Sequence, residues 1–338
     1  DDNARALVLT VLLEELGKDS PELHQAASTY AAFLNYAFNS ESGRFRNFMS
    51  FDRHWMEEDG SDDSQGRAIW ALGTCVGRSR RRSFQSWAMQ LFQKALPGCA
   101  STTSPRTWAL SLIGIHEYLR RLSGDRLVNQ MRDTLTGKLI DLYEDTATDD
   151  WPWFEDIASY NNAKLPHALI LSGRWSGNER ATQIGLRSLR WLAEKQQSSR
   201  GRFRPIGCNG FCRRGEPTAE YDQQPIEAHA MVSAAIEAFN AVQDRYWCEQ
   251  AHLAFDWFLG RNDLGQPLYD TTTGGCHDGL QENRVNENQG AESTLAFLLS
   301  LAEMQLLENT VAAFQSPEAA LSTEHHGQVE RPSVLHAK

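Results

Sequence analysis

No run of 18 or more apolar residues occurs in this 338-residue chain, so no segment has the composition of a bilayer-spanning helix. An excess of positive charge is also missing. Against 33 Lys and Arg stand 44 Asp and Glu, for a net charge of −11. That balance argues against a nucleic-acid groove and against attraction to anionic membranes. The short basic run from Arg78 to Arg82 reads as a solvated connection between helices. Cysteine is scarce: six residues, at 75, 99, 208, 212, 248 and 276, match no zinc-ligand spacing. Cys208, Cys212 and Cys276 are the one combination that would make a three-thiolate site. Reduced, mostly buried thiols in a cytoplasmic protein are the better reading, and no metal or cofactor is called for. No signal-peptide pattern opens the sequence.

What the chain does have is helical periodicity. Leu23, Ala27, Tyr30, Leu34 and Ala37 recur at steps of 4, 3, 4 and 3, which places them on one helix face. Similar patterns run through Phe84, Trp87, Leu91 and Ala95, through Leu127, Met131, Leu135 and Leu139, and through Trp247, Ala251, Phe255 and Phe258. A second set of helices opens on polar stretches: Asp1-Asp2-Asn3-Ala4-Arg5, Asp62-Asp63-Ser64-Gln65-Gly66-Arg67, Tyr160-Asn161-Asn162-Ala163-Lys164, Tyr221-Asp222-Gln223-Gln224-Pro225-Ile226-Glu227, and Asn286-Glu287-Asn288-Gln289. Ser104-Pro105-Arg106-Thr107 is a weaker sixth. Proline is tolerated in a first helical turn, so Pro225 marks a helix start with Asp222 to Gln224 on its rim.

Connections after the polar-rimmed helices are short, and those before them are mostly long. Short turns make antiparallel hairpins. The spacing therefore predicts an all-α, (α/α)6 toroid of helical hairpins over residues 1–310, with 311–338 as a C-terminal tail. Its inner helices start near residues 2, 63, 105, 160, 224 and 289, and five outer helices are visible. A sixth outer helix is expected upstream of residue 1. The long loops, with short strands such as 43–46 and 201–205, gather with the polar rims at one face.

That face suits a neutral polyhydroxylated ligand, because amides and carboxylates bond hydroxyls while Trp and Tyr rings pack on sugar faces. Breaking a glycosidic bond needs one acid and one base or nucleophile. Asp63, Glu155, Asp156, Asp222 and Glu287 are the catalytic candidates. Asp2, Asn3, Arg5, Arg67, Trp151, Trp153, Tyr160, Asn161, Asn162, Lys164, His167, Tyr221, Gln223, Gln224, Glu227, Arg284, Asn286 and Asn288 are the candidates for substrate contacts. Bland readings compete at many of these positions. Asp63 and Asp222 are also plausible helix caps, His167 and His229 core histidines, and Trp151 and Trp153 loop packing.

The same motifs, with Trp151-Pro152-Trp153-Phe154-Glu155-Asp156, resemble a family of bacterial α/α-toroid proteins. These are similar to six-hairpin glycosidases and are often joined to, or encoded beside, glycosyltransferases and β-mannoside phosphorylases. The resemblance spans nearly all of residues 1–310 and implies the toroid fold, an oligosaccharide (a mannoside by association) as substrate, and such an enzyme as a neighbour. The expected activity is inverting glycoside hydrolysis. Glu155 or Asp156 would be the acid, kept protonated against Trp151 or Trp153, and Asp222 or Glu287 the base among nearby amides. A sugar 2-epimerase of the N-acylglucosamine type, using two of His167, His229 and His277, is the alternative enzyme. A non-catalytic sugar-binding module serving a glycosyltransferase is the third reading.

Overall fold

The computed structural model describes residues 1–315, and the expected tail falls outside the described residues from 316 onward. Eleven α-helices are present among them: α1 (Asp2–Glu15), α2 (Pro21–Ala37), α3 (Asp62–Arg78), α4 (Arg82–Ala95), α5 (Pro105–Leu119), α6 (Arg126–Thr146), α7 (Lys164–Ser176), α8 (Glu179–Lys195), α9 (Pro225–Val242), α10 (Arg245–Phe258) and α11 (Ala291–Gln315). The odd-numbered helices pack in a closed ring, α1–α3–α5–α7–α9–α11 and back to α1, while α2, α4, α6, α8 and α10 each back the inner helix preceding them. This is the (α/α)6 toroid plan, with five outer helices among the described residues.

Local chemistry sets the helix ends. Ser20 and Ser104 accept the N–H of Leu23 at 3.2 Å and of Thr107 at 3.4 Å, each just before a first-turn proline. Ser61, not Asp63, caps α3, accepting the Ser64 N–H at 3.2 Å. The N-cap position of α9 is Gln224, so Asp222 does not cap either. Gly177, in the left-handed region at φ 72°, ends α7, and the very next residue, Asn178, caps α8.

The long loops 38–61, 147–163, 196–224 and 259–290 all lead from an outer helix to the next inner one, so they share the face of the inner N-termini. Three two-residue ladders tie them: Phe38–Asn39 with Arg44–Phe45, Ile157–Ala158 with Cys212–Arg213, and Gly279–Leu280 with Val285–Asn286. The strand expected over 201–205 is only an isolated bridge, Gln197 to Phe203. At the centre of the ring α3 and α5 come unusually close: a Cβ on Gly73 would lie 2.0 Å from the Gly114 carbonyl oxygen. One continuous apolar core fills the space between the inner and outer layers.

Candidate active site

Three arginines organise the N-terminal mouth of the ring, one each from α1, α3 and α5. Arg5 pairs with Asp2 and Glu292, and Arg67 pairs with Asp1 at 2.7 Å and Asp63 at 3.2 Å. Arg106 pairs with Glu155 at 2.8 Å and donates to the Tyr160 carbonyl at 2.7 Å, with its guanidinium 5.0 Å from the Tyr160 ring centre. All three are nearly enclosed, whereas the Asp2 and Glu292 side chains are 47% and 46% exposed and Asp63 18%. Buried cations thus hold partly exposed carboxylates at a fixed rim. Burial, with Arg5 alongside, lowers Arg67 to about 10, which leaves it charged at neutral pH. Burial and the neighbouring Asp63 push the Tyr160 phenol up to about 12.

Behind the rim, Asn161 (φ 50°) and Asn162 are buried in the turn that opens α7. Asn162 Nδ2 and Gln196 Nε2 donate to Glu227 Oε2 at 2.9 and 3.3 Å, and Glu227 Oε1 has no hydrogen-bond partner. Burial raises the Glu227 carboxyl to about 7, with the Asn162 and Arg106 contacts pulling it back only in part.

Deeper on the axis lie Lys164, His167, His229 and Glu303. Lys164 Nζ sits 5.3 Å from the Trp70 ring centre, and burial lowers it to about 8. Burial, reinforced by Lys164, drives His167 to about 3 and His229 to about 4, so both rings are neutral. Burial opposes ionisation of Glu303, yet His229, Lys164 and Ser233, whose hydroxyl donates at 2.6 Å, hold it at about 2. A cavity of about 290 Å³ continues from Trp70 and Lys164 toward Glu15, Arg78 and Glu117 at the C-terminal ends of α1, α3 and α5. It occupies the half of the bore opposite the expected carboxylates, so enclosed volume and rim chemistry do not coincide.

The mouth brings together Asp2, Arg5, Asp63, Arg67, Glu155, Tyr160, Asn161 and Asn162, with Asn3 half-buried in the first turn of α1 and Glu227, Lys164 and His167 further in. Other candidates fall elsewhere. Asp222, Gln224 and Asn286 line a recess of about 110 Å³ with Cys208 and Asp278. Arg284, Asn286, Glu287 and Asn288 line the adjoining one. Neither includes Glu155, so the expected pairing of that acid with Asp222 or Glu287 in one pocket is not seen. Asp156 points outward, 82% exposed and 3.5 Å from Arg214. Gln223 is a core residue, donating to Asp263 at 2.9 Å and accepting from Trp257 Nε1 at 2.8 Å. Tyr221 is half-buried and packs its backbone on Gly207.

Trp151 and Trp153 are not sugar platforms. Their rings lie 4.8 and 5.3 Å from Trp191 of α8, in the core, where burying three indoles outweighs displaying two. His277 is on the loop surface, its Nδ1 3.1 Å from the Glu287 carbonyl. No group of three or more potential metal ligands occurs among the described residues, and none of their helices is long and apolar enough to cross a membrane.

Arg106, Glu292, Gln196 and Glu303 join this site as partners that are absent from the candidates above. A signal existed for three of them. Arg106 opens the sixth rim, and Glu292 and Glu303 are 11 residues apart, three helical turns on one face of α11.

No protein-family model matches the sequence, and no curated protein sequence does. The fold does match solved structures. A cellobiose 2-epimerase from Bacillus thermoamylovorans is 14% identical, with a TM-score of 0.61 over 89% of this chain and 87% of that one. A D-mannose isomerase is 13% identical, with a TM-score of 0.65 over 91% and 86%. The GH76 α-mannanase of Bacteroides thetaiotaomicron is 11% identical, with a TM-score of 0.60 over 91% and 87%. At such identities the likeness establishes the fold, and that fold is the (α/α)6 toroid.

Proposed function

We propose that this chain is a carbohydrate-active enzyme whose chemistry takes place at the N-terminal mouth of the toroid, and that the reaction is hydrolysis of a glycosidic bond. The observation that carries this reading is a pair of carboxyl groups in opposite environments. Asp63, on α3, is held by Arg67 and exposed enough to orient a water. Glu227, on α9, which stands across the ring from α3, is buried near neutrality with Oε1 free to carry a proton. Splitting two carboxyl groups into base and acid by environment is how glycosidases divide these roles. The desolvated acid expected beside Trp151 and Trp153 is thus replaced by Glu227, and Asp63 takes over as base from Asp222 and Glu287.

The test is incubation with manno-, gluco- and galacto-oligosaccharides, with product anomers resolved by NMR. Manno-oligosaccharides come first because a mannose isomerase and an α-mannanase share the fold. Asp63→Asn and Glu227→Gln should each lower turnover at least about a hundredfold without lowering the melting temperature. Near-wild-type turnover in either variant removes that residue from the mechanism, and retained configuration contradicts an inverting reaction.

One observation favours epimerisation as the second reading. His167 and His229 lie on adjacent inner helices beside Lys164, and both are neutral, the form of an imidazole that can accept a proton from a sugar carbon. Deuterium uptake from D2O at C2, without new reducing ends, would select it. Tight binding without turnover in either assay would leave a sugar-binding module. The glycosyltransferase or phosphorylase neighbour implied by the resemblance would then be the partner to try in co-purification.

A further inference from the structure

Between α2 and α3 the chain forms a hairpin over residues 47–58. Met49 and Trp55 pair across it, the Met56 N–H donates to the Phe48 carbonyl at 3.0 Å, and the Ser50 N–H donates to the His54 carbonyl at 2.9 Å. Side chains alternate between the two faces of such a ladder. Trp55 faces α2, its ring 5.8 Å from Phe33 and 5.3 Å from Tyr36. Phe48 and Met56, one pair along, face the other way and are 60% and 72% exposed, with Phe51 fully exposed at the tip. The hairpin is therefore anchored by one aromatic face while it displays another apolar face to water. Folding gains nothing from that display, and a clustered exposed apolar surface marks a place where something binds.

Its position says what. Asn47 accepts a hydrogen bond from Asp1 at 2.8 Å, and Asp1 in turn pairs with Arg67. At the other end the Gly60 N–H bonds the Phe45 carbonyl at 2.9 Å, just before the chain enters α3 and Asp63. The hairpin thus rises from the edge of the mouth. Over residues 46–59 four acids, Asp52, Glu57, Glu58 and Asp59, stand against Arg46 and Arg53, a net negative balance that disfavours an anionic membrane.

We infer that Phe48 and Met56, with Phe51, form a platform for the outer sugar residues of an oligosaccharide whose reacting bond lies at the mouth. This rests on the carbohydrate reading above and deepens it by assigning where the sugar residues beyond the reacting bond are held. Apolar side chains against the C–H face of a pyranose ring should give about three- to tenfold in affinity, the order of magnitude that a pair of packed aromatic rings gives beyond its buried area.

The experiment is calorimetric titration with an oligosaccharide series from disaccharide to hexasaccharide. It uses an Asp63→Asn background to block turnover, and compares that protein with the same protein carrying Phe48→Ser and Met56→Ser. Affinity should rise about three- to tenfold with chain length in the first and stay flat in the second. Leu127→Ala, an equally exposed apolar change on α6, should leave the rise intact. A length dependence that survives the double change, or one absent from the parent protein, overturns the platform. Turnover is not read here, so the platform can stand if hydrolysis fails, and hydrolysis can stand if the platform fails.

Discussion

Replacing Glu227 with glutamine should make the protein more stable while destroying its proposed activity. Glu227 is buried, and its carboxyl sits at about 7 against an ordinary 4.5. Below pH 4.5 the folded and unfolded chains both carry the proton, and the neutral carboxyl contributes fully to stability. As pH rises from 4.5 toward 7 the unfolded chain releases the proton while the folded chain keeps it, so stability falls. At 1.36 kcal/mol for each pH unit of that window the loss approaches about 3 kcal/mol, complete above about pH 7. A glutamine has nearly the same shape and no proton to lose. Its carbonyl oxygen can still accept from Asn162 and Gln196, the two donors that now meet Oε2. Urea unfolding of both proteins from pH 4.5 to 8 isolates the effect. Every other titrating group, including Glu237 with its own raised carboxyl, is common to the pair and cancels in the difference. The two should be within about 1 kcal/mol at pH 4.5, and Glu227→Gln should be about 2–3 kcal/mol more stable at pH 8. A stability difference that does not grow with pH would refute the buried-acid account. Glu227→Ala should behave in the opposite way, losing about 3 kcal/mol or more because two buried amide donors lose their acceptor beside a cavity.

Three further predictions concern the helices of the toroid. Gly73→Ala sets a methyl 2.0 Å from the Gly114 carbonyl oxygen, a backbone atom that cannot rotate aside, so α3 and α5 must separate. Urea unfolding should show a loss of about 3 kcal/mol. Gly137→Ala on outer helix α6, where a Cβ meets nothing within 4 Å, should instead gain up to about 1 kcal/mol. Glu303→Gln removes an ionised carboxylate held at about 2, whose contribution is present above pH 4.5 and lost as pH falls through 4.5 toward 2. It should cost about 2–3 kcal/mol at pH 7, discounted for the 19% of the side chain that solvent reaches, and the gap should narrow from pH 4.5 downward and close only below about pH 2.

Sequence alone determined the architecture, because helical hairpins are local. The 3.6-residue periodicity of Leu23 to Ala37, the first-turn prolines at 21, 105 and 225, and the alternation of short and long connections leave few ways to close a ring. It also placed Asp2, Arg5, Asp63, Arg67, Tyr160, Asn161 and Asn162 at one end, since residues in or just before the first turns of parallel inner helices must share a face. What sequence could not decide was burial within that face. Trp151 and Trp153 look like ligand platforms until α8 brings Trp191 against them. Gln223 looks like Gln224 until Trp257 and Asp263 close around it. Asp156 is next to Glu155 in the chain, yet a β-ladder with Cys212–Arg213 follows it and the two carboxylates diverge, one to Arg106 and one to Arg214. Whether a carboxyl is an acid or a base depends on its distance from water and from opposite charge. Both are set by residues far away in sequence, as Asn162, Gln196 and Arg106 set them for Glu227.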